Sequence, residues 1–248
     1  MKVKLGSCVS ILLLAVASRG FAFGIDKMSA DLDASKGFKA IDSFVLFNDD
    51  GKSSVFVTAR AYHWDMDEHN AITMTPSEDI QIYPSVQRIQ PGDNATFKIR
   101  YKGPLPLKGE GNYRIVFNDI RLPTGTPQKA DGTSILETTG SNIEVGIQMS
   151  VPVYVSDFSE KSDVMDHVSA HFTQQGHTVS MTVDNEGDRH VTIKGLRING
   201  SDRPGVGPVL AHHKRVVTLD VADPVKGLSL DLSYRGQSKQ IVATGGEL

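Results

Sequence analysis

The longest apolar alternation in the sequence is Ile143-Glu144-Val145-Gly146-Ile147-Gln148-Met149-Ser150-Val151-Pro152-Val153-Tyr154-Val155. Successive side chains of a β-strand point to opposite faces, so one face carries the seven apolar residues Ile143, Val145, Ile147, Met149, Val151, Val153 and Val155. A strand of about five or six residues is the usual length in globular proteins, and this run is roughly twice as long. Two interpretations fit: a long core strand at a sheet edge, or a strand whose beginning is covered by another molecule.

Shorter alternations with the same period follow along the rest of the chain. Further examples are Phe97, Ile99 and Tyr101; Val179, Met181 and Val183; and Leu228, Leu230, Leu232 and Tyr234. Turn-forming residues separate these runs at 48–51, Pro91-Gly92, Asn199-Gly200 and Gly236. Many short strands at intervals of about 8–12 residues, without a long amphipathic helix, predict an all-β sandwich fold.

The domain organisation follows from where the long alternation ends. It ends at Ser156-Asp157, where a new run of strands begins. We therefore expect one domain over residues 23–156 and a second over residues 157–248, each near the size of roughly 100 residues that sandwich domains have. Residues 124–141 are rich in Gly, Pro, Thr and Ser and predict a long loop that leads into the alternating strand.

The first 22 residues have the pattern of a secretory signal peptide. Lys2 and Lys4 precede an apolar run at residues 9–17, and the small residues Gly20 and Ala22 follow it. We expect cleavage near Ala22 and a product outside the cytoplasm. No later stretch approaches the roughly 18 apolar residues of a membrane-spanning helix, so no stable membrane insertion is expected.

Composition argues against several classes of function. The single cysteine, Cys8, lies in the predicted signal peptide, so the secreted product is expected to have no disulfide, thiolate metal site or cysteine nucleophile. The formal net charge of −3 gives no indication of a nucleic-acid surface or a polybasic membrane patch.

No catalytic or metal-binding motif stands out. The chain lacks a Gly-x-Ser-x-Gly elbow, a His-Glu-x-x-His helix and a phosphate-binding glycine loop. His212 and His213 are adjacent and would point to opposite faces of a strand, and the acidic cluster at residues 65–69 lacks the glycine and distal glutamate of a calcium loop. We predict no enzyme activity, no metal and no cofactor.

Two blocks of the sequence resemble a known family. The first is Ile82-Tyr83-Pro84-Ser85-Val86-Gln87-Arg88-Ile89-Gln90-Pro91-Gly92, followed by Phe97-Lys98-Ile99-Arg100-Tyr101. The second is Asn112-Tyr113-Arg114-Ile115-Val116-Phe117-Asn118-Asp119-Ile120-Arg121-Leu122-Pro123. Together with Val151-Pro152-Val153-Tyr154-Val155, they resemble the first domain of periplasmic, PapD-like pilus chaperones of the chaperone–usher pathway. The likeness continues through the second domain, although its specific part is the block from Tyr83 to Pro123.

The resemblance implies a fold and a mechanism. Members of this family have two immunoglobulin-like sandwiches set at an angle, and the cleft between them receives pilus subunits that lack their last strand. The chaperone supplies that strand by donor-strand complementation, a form of β-strand addition. It then delivers the subunit to an outer-membrane usher. The implied donor side chains are Ile143, Val145, Ile147 and Met149.

The anchoring residues depart from the best-known family pattern. In that pattern a basic residue of the first strand and a lysine of the seventh clamp the C-terminal carboxylate of the subunit. Here Lys27 is the only basic residue of the first strand region, and residues 143–155 contain none. Arg114, on the neighbouring sixth strand, is the first substitute, because a guanidinium can bind a carboxylate through two hydrogen bonds. Lys102 is the second candidate substitute. An anchor that departs from the best-known pattern in this way would suit a divergent or archaic branch of the family.

Two other functions remain as alternatives. A secreted immunoglobulin-like pilus subunit or adhesin would need an N-terminal extension of alternating apolar residues, and residues 23–33 are short and mixed in polarity. A secreted hydrolase would need an acid, base or nucleophile set that the sequence does not display.

Overall fold

The computed structural model describes residues 23–49, 53–105, 109–120, 147–159 and 163–247. The predicted signal peptide, the predicted loop at 124–141 and the donor candidates Ile143 and Val145 lie outside the described residues. Within these ranges nearly every element is a strand, and the helical elements are two 3₁₀ segments at Ala34–Lys39 and Val164–His167. The all-β prediction is confirmed. No helix in the described ranges has the length and apolarity needed to cross a membrane.

The first half of the chain forms two sheets. Its strands are β1 (Phe23–Ile25), β2 (Ala30–Asp33), β3 (Ile41–Asn48), β4 (Val55–Met66), β5 (Ile72–Pro76), β6 (Ile80–Tyr83), β7 (Val86–Ile89), β8 (Asn94–Tyr101), β9 (Glu110–Ile120) and β10 (Gln148–Ser156). One sheet has the order β1-β3-β8-β6. The other has the order β2-β10-β9-β4-β5, with β7 also paired to β4.

The second half forms two more sheets. Its strands are β11 (Val168–Gln175), β12 (Thr178–Asn185), β13 (Val191–Ile198), β14 (Ser201–Val209), β15 (His213–Asp220), β16 (Leu228–Tyr234), β17 (Gln237–Val242) and β18 (Thr244–Glu247). The sheet orders are β15-β12-β11-β18 and β14-β13-β16-β17.

Each pair of sheets encloses its own apolar core, as expected for two sandwiches. In the first, Phe117 of β9 makes edge-to-face contacts with Phe44 and Phe97 of the opposite sheet, at ring-centroid distances of 5.7 and 5.3 Å. In the second, Met181 of β12 and Leu230 of β16 are fully buried on facing sheets. Each such side chain stabilises the fold by about 1.5–3 kcal/mol relative to exposure. The prediction of two β-sandwiches is confirmed.

The first strand region changes sheets. β1 pairs antiparallel with β3, whereas β2 crosses to the other sheet and pairs parallel with β10. Only residues 153–156 of β10 have a partner in β2. This crossing determines how much of β10 is covered on its outer edge.

Two hairpins end in turns that require positive φ angles. Asn199 and Gly200, between β13 and β14, have φ angles of 51° and 83°. Arg235 and Gly236, between β16 and β17, have φ angles of 46° and 82°. Two positive φ angles at the central residues are typical of type I′ turns, whose twist matches that of paired strands. The turns predicted at Asn199-Gly200 and Gly236 are confirmed.

Asn185, at the end of β12, forms hydrogen bonds with several buried backbone groups that have no access to water. Its amide nitrogen donates to the carbonyl oxygens of Arg189, Val209 and Leu210 at 2.8, 3.2 and 2.9 Å, and its carbonyl oxygen accepts from the Gly187 amide at 3.1 Å. The residue is fully buried. It therefore fixes the connections that lead out of β12 and β14 toward the first sandwich.

We predict that Asn185→Ala lowers the free energy of unfolding by about 2–4 kcal/mol, because buried backbone groups lose their hydrogen-bond partner. Urea denaturation followed by circular dichroism measures the change. Ser180→Ala on the same strand, where the side chain is half-buried, is the control and should shift stability by less than about 0.5 kcal/mol. Equal effects of the two substitutions would contradict this role for Asn185.

Candidate functional site

The outer edge of β10 is open over residues 148–152. β10 pairs with β9 from Gln148 to Ser156, but its pairing with β2 begins only at Val153. Among the described residues no strand pairs with the remaining part of this edge. An unpaired edge of this kind is a template for the addition of a strand from another chain.

The backbone groups at this edge point outward in a defined pattern. The Asp119 amide donates to the Ile147 carbonyl at 3.0 Å, so Ile147 directs its carbonyl toward β9. Because inward and outward positions alternate along an antiparallel strand, Gln148 and Ser150 direct their N–H and C=O groups away from β9. Pro152 offers only a carbonyl there, since proline has no backbone N–H. The open edge therefore presents amide donors at Gln148 and Ser150.

Burial of the core-facing side chains falls toward the start of β10. Val151, Val153 and Val155 are at most 1% exposed. Met149 is partly buried at the margin of the same core, and Ile147 is half-buried outside it. The apolar row thus continues past the end of the core that its own domain supplies.

The buried face of β4 changes along the strand. Val55, Val57 and Ala59 face the core of the first sandwich, but farther along the strand Trp64 and Met66 are buried on the opposite face. Trp64 and Met66 form a separate apolar cluster with Tyr154 of β10 and Leu210 of the second sandwich. We call this set, Trp64, Met66, Tyr154 and Leu210, the junction cluster.

A buried polar pair lies beside the junction cluster. The Glu110 carboxylate is within 2.8 Å of His190 Nδ1, and it also accepts a hydrogen bond of 2.8 Å from the His190 backbone amide. The exposed fractions of these side chains are 1% and 7%. The His190 ring stacks on Tyr154, with centroids 3.4 Å apart. These contacts tie β9 and β10 of the first sandwich to the start of β13 in the second.

Arg114 lies on the side of β9 that faces Trp64 of the junction cluster, opposite Pro152 in the register of β10. Its guanidinium packs over the Trp64 ring at 4.2 Å, and its Nη1 donates to Ser150 Oγ at 3.2 Å. Its Nε is buried without a hydrogen-bond acceptor. Within the described ranges no carboxylate pairs with it.

The electrostatics around Arg114 favour an anion. Burial lowers the pKa of Arg114, and the nearby Tyr154 opposes that effect only in part. Burial, followed by the charge of Glu110, raises the pKa of Tyr154, so its hydroxyl stays protonated at neutral pH. A half-buried guanidinium without a counter-ion is costly, and an incoming carboxylate would remove that cost.

The other two anchor candidates are placed differently. Lys27 Nζ is 2.5 Å from Asp42 Oδ1, and Lys102 Nζ is 3.9 Å from Glu78 Oε2. Lys27 follows β1 and Lys102 follows β8, strands of the sheet that does not contain β10. Each therefore already has a carboxylate partner, which Arg114 lacks among the described residues.

The histidines and acidic residues noted in the sequence form ion pairs and turns. His212 Nε2 is 2.9 Å from Asp188 Oδ1, whereas His213 Nε2 is 2.8 Å from Asp65 Oδ1 across the junction. Asp67 caps its own turn by accepting from the amides of His69 and Ala71. In the described part of the chain no three such side chains converge as metal ligands.

Sequence reasoning missed the residues that join the sandwiches, above all Glu110, His190 and Trp64. For Trp64 a signal exists, because the apolar residues of β4 shift from odd to even positions after Ala61. Such a shift indicates that a strand buries different faces at its two ends. For Glu110 and His190 no local pattern distinguishes them from exposed strand residues.

Solved structures with the same fold are described as pilus chaperones. One is the CsuC–CsuE chaperone–tip adhesion subunit pre-assembly complex from the archaic chaperone–usher Csu pili of Acinetobacter baumannii, with 17% identity and a TM-score of 0.63 over 90% of this chain and 99% of that chain. A second is the Salmonella enterica SafA pilin in complex with the SafB chaperone, with 12% identity and a TM-score of 0.60 over 91% of this chain and 98% of that chain.

A third is the periplasmic chaperone SfaE, with 13% identity and a TM-score of 0.59 over 90% of this chain and all of that chain. No family model and no curated protein sequence matches the chain. The resemblance inferred from the sequence is therefore confirmed at the level of the fold.

We predict that Glu110→Ala weakens the junction, lowering the free energy of unfolding by about 2–3 kcal/mol, because His190 loses its buried hydrogen-bond partner. Trp64 is the single tryptophan and lies in the junction cluster, so its fluorescence in a urea titration reports on this contact. Glu78→Ala, which removes a side chain that is 98% exposed, is the control. An unchanged Trp64 transition in Glu110→Ala would refute the role of the pair.

Proposed function

We propose that the protein is a periplasmic chaperone that binds incomplete pilus subunits by donor-strand complementation and delivers them to an outer-membrane usher. The observation that carries this proposal is the open edge of β10 next to Arg114, a half-buried cation with no carboxylate partner among the described residues. The chain performs no covalent chemistry in this role. Its predicted signal peptide supports the periplasmic location.

The open edge supplies the backbone part of the interaction. Gln148 and Ser150 direct N–H and C=O groups outward, and a strand of the subunit would pair with them. Adding a strand also covers the exposed edges of both molecules, which otherwise favour aggregation. This is the physical sense in which the chaperone protects its subunit.

The apolar row supplies the side-chain part. Met149 and Ile147 continue the row of Val151 and Val153 beyond the core of the first sandwich. A subunit that lacks its last strand has a groove in its own core, and these side chains would fill it together with Ile143 and Val145. Each fully buried side chain contributes about 1.5–3 kcal/mol before the costs of association.

Arg114 supplies the anchor. Its guanidinium is held by Trp64 and Ser150 and faces the cleft beside the open edge. A subunit strand paired with β10 would end near it, and the C-terminal carboxylate would neutralise the charge through strong hydrogen bonds. The anchor thereby sets where the added strand stops, and with it the register of pairing.

The solved relatives in fold support this choice of partner. The CsuC–CsuE complex is described as a chaperone with a tip adhesion subunit, and SafB as a chaperone with the SafA pilin. We propose by analogy that pilus subunits are the partners of this chain and that an usher receives them.

We predict that Ile147→Arg abolishes subunit capture and leaves the chaperone folded, because a charged side chain at this half-buried position cannot enter an apolar groove. Co-expression with a pilus subunit from the same organism, followed by size-exclusion chromatography, measures the complex. Gln148→Arg, one residue along on the opposite, exposed face, is the matched control. Capture that is equally weak in both variants would contradict the proposed face, and self-polymers of the wild type would favour a structural subunit instead.

We predict that Arg114→Gln weakens capture by about tenfold or more, the loss expected for a charge-assisted hydrogen bond of at least about 1.5 kcal/mol. Competition between wild type and variant for limiting subunit in the same culture measures the ratio. Lys102→Gln and Lys27→Gln are the matched controls, since each removes the same charge. If either control lost capture and Arg114→Gln retained it, the anchor would be assigned to that lysine.

A further inference from the structure

A second half-buried arginine lies at the junction, and it comes from the other sandwich. Arg215, on β15, is opposite Val183 and on the same face as Val217 and Leu219, which pack against the core of the second sandwich. At this position the row of core-facing side chains ends in a guanidinium rather than an apolar group. A cation there, near the end of a core, needs a partner or a function.

The surroundings of Arg215 hold its guanidinium without neutralising it. Its Nη1 donates to the Pro208 carbonyl at 2.6 Å, and its Nε is buried without an acceptor. Gly207 has a φ of 91°, and a Cβ on it would lie 3.3 Å from Nη1, so the absence of a side chain there makes room for the arginine. Within the described part of the chain no carboxylate pairs with Arg215.

Arg114 and Arg215 flank the same group of residues. Arg114 packs on Trp64, a member of the junction cluster, and Arg215 binds Pro208, two residues before Leu210 of the same cluster. The charges of both arginines lower the pKa of Tyr154, so both guanidinium groups lie within electrostatic range of the same hydroxyl. Burial lowers the pKa of Arg215 as it does that of Arg114.

Arg215 is also reachable from solvent. It lines a cavity of about 530 Å³ between the two sandwiches, together with His69 and Asn70 of the β4–β5 turn and Val216 of β15. The Asn70 side chain donates to the Val216 carbonyl at 3.2 Å, and the Val216 amide donates to the Glu68 carbonyl at 2.8 Å, so this wall is fixed across the junction. A chain that enters this cavity from the junction can therefore contact the Arg215 guanidinium.

We propose that Arg215 is the second cation of the carboxylate site, so that one guanidinium from each sandwich holds the C-terminal carboxylate of a subunit. This inference rests on the proposed chaperone function and adds a residue of the second sandwich to its site. The bound carboxylate then links the two sandwiches and adds to the contacts of the junction cluster.

The test uses the C-terminal strand of a captured subunit as a fluorescent peptide, made with a free acid and with a C-terminal amide. Anisotropy titrations compare full-length wild type with Arg215→Gln and with Lys214→Gln, a neighbour whose ammonium is paired with Asp184 at 2.9 Å and is largely exposed. We expect Arg215→Gln to lower the affinity for the free-acid peptide by about tenfold and the affinity for the amide peptide by less than twofold. We expect Lys214→Gln to bind both peptides as the wild type does. Equal weakening of acid and amide, or none, would overturn the assignment.

A second measurement does not depend on any subunit. Acetate is the probe, and the arginine Nε–Hε resonances of the protein are followed by NMR at constant ionic strength, with chloride as the reference anion. We expect the Arg114 and Arg215 resonances both to shift with acetate, and the Arg215 shift to shrink in Arg114→Lys. If the Arg215 resonance did not shift with acetate, the assignment of Arg215 to the carboxylate site would be overturned, even if the protein captures a subunit. A wild type that captures no subunit while both resonances respond would instead contradict the proposed function.

Discussion

The crossing of the first strand region from one sheet to the other is the constraint on which the rest of the site depends. Because β2 reaches β10 only at Val153, the beginning of β10 keeps one edge without a partner among the described residues. The same strand is held firmly on its other edge by β9 over its whole length. A rigid strand with one free edge is prepared for addition of another strand, since little further ordering of its own backbone is required.

The sheet that contains β4, β9 and β10 has two structural functions on the side that faces away from its own core. This side of the sheet packs on the second sandwich through the junction cluster and the Glu110–His190 pair, and the same side carries Arg114 on β9, next to the open edge of β10. The aromatic ring that stabilises the junction therefore also supports the proposed anchor, because Trp64 belongs to the cluster and lies under the Arg114 guanidinium. Stability of the two-sandwich arrangement and the chemistry of the site are linked through this residue.

Local patterns predicted the sandwiches because strand periodicity and turn chemistry are properties of neighbouring residues, as at Asn199-Gly200. The contact between the sandwiches depends on residues far apart in the chain. The local pattern carries a signal for this contact only at Trp64, where the buried positions of β4 shift from odd to even residues. Arg114 was found through the resemblance. Arg215 was not, because in the sequence an arginine at the end of an apolar row looks like any exposed strand cation. Only the structure shows that no carboxylate of the described residues pairs with it.

Pro152 has a further consequence for the free protein. It has no amide hydrogen, so the open edge offers donors only at Gln148 and Ser150 within the described residues before the pairing with β2 begins. Two copies of the chain that met edge to edge would lack a ladder hydrogen bond at this position. The proline thus disfavours edge-to-edge pairing of two copies, while a partner with a matching groove still gains the side-chain contacts that a second copy cannot offer.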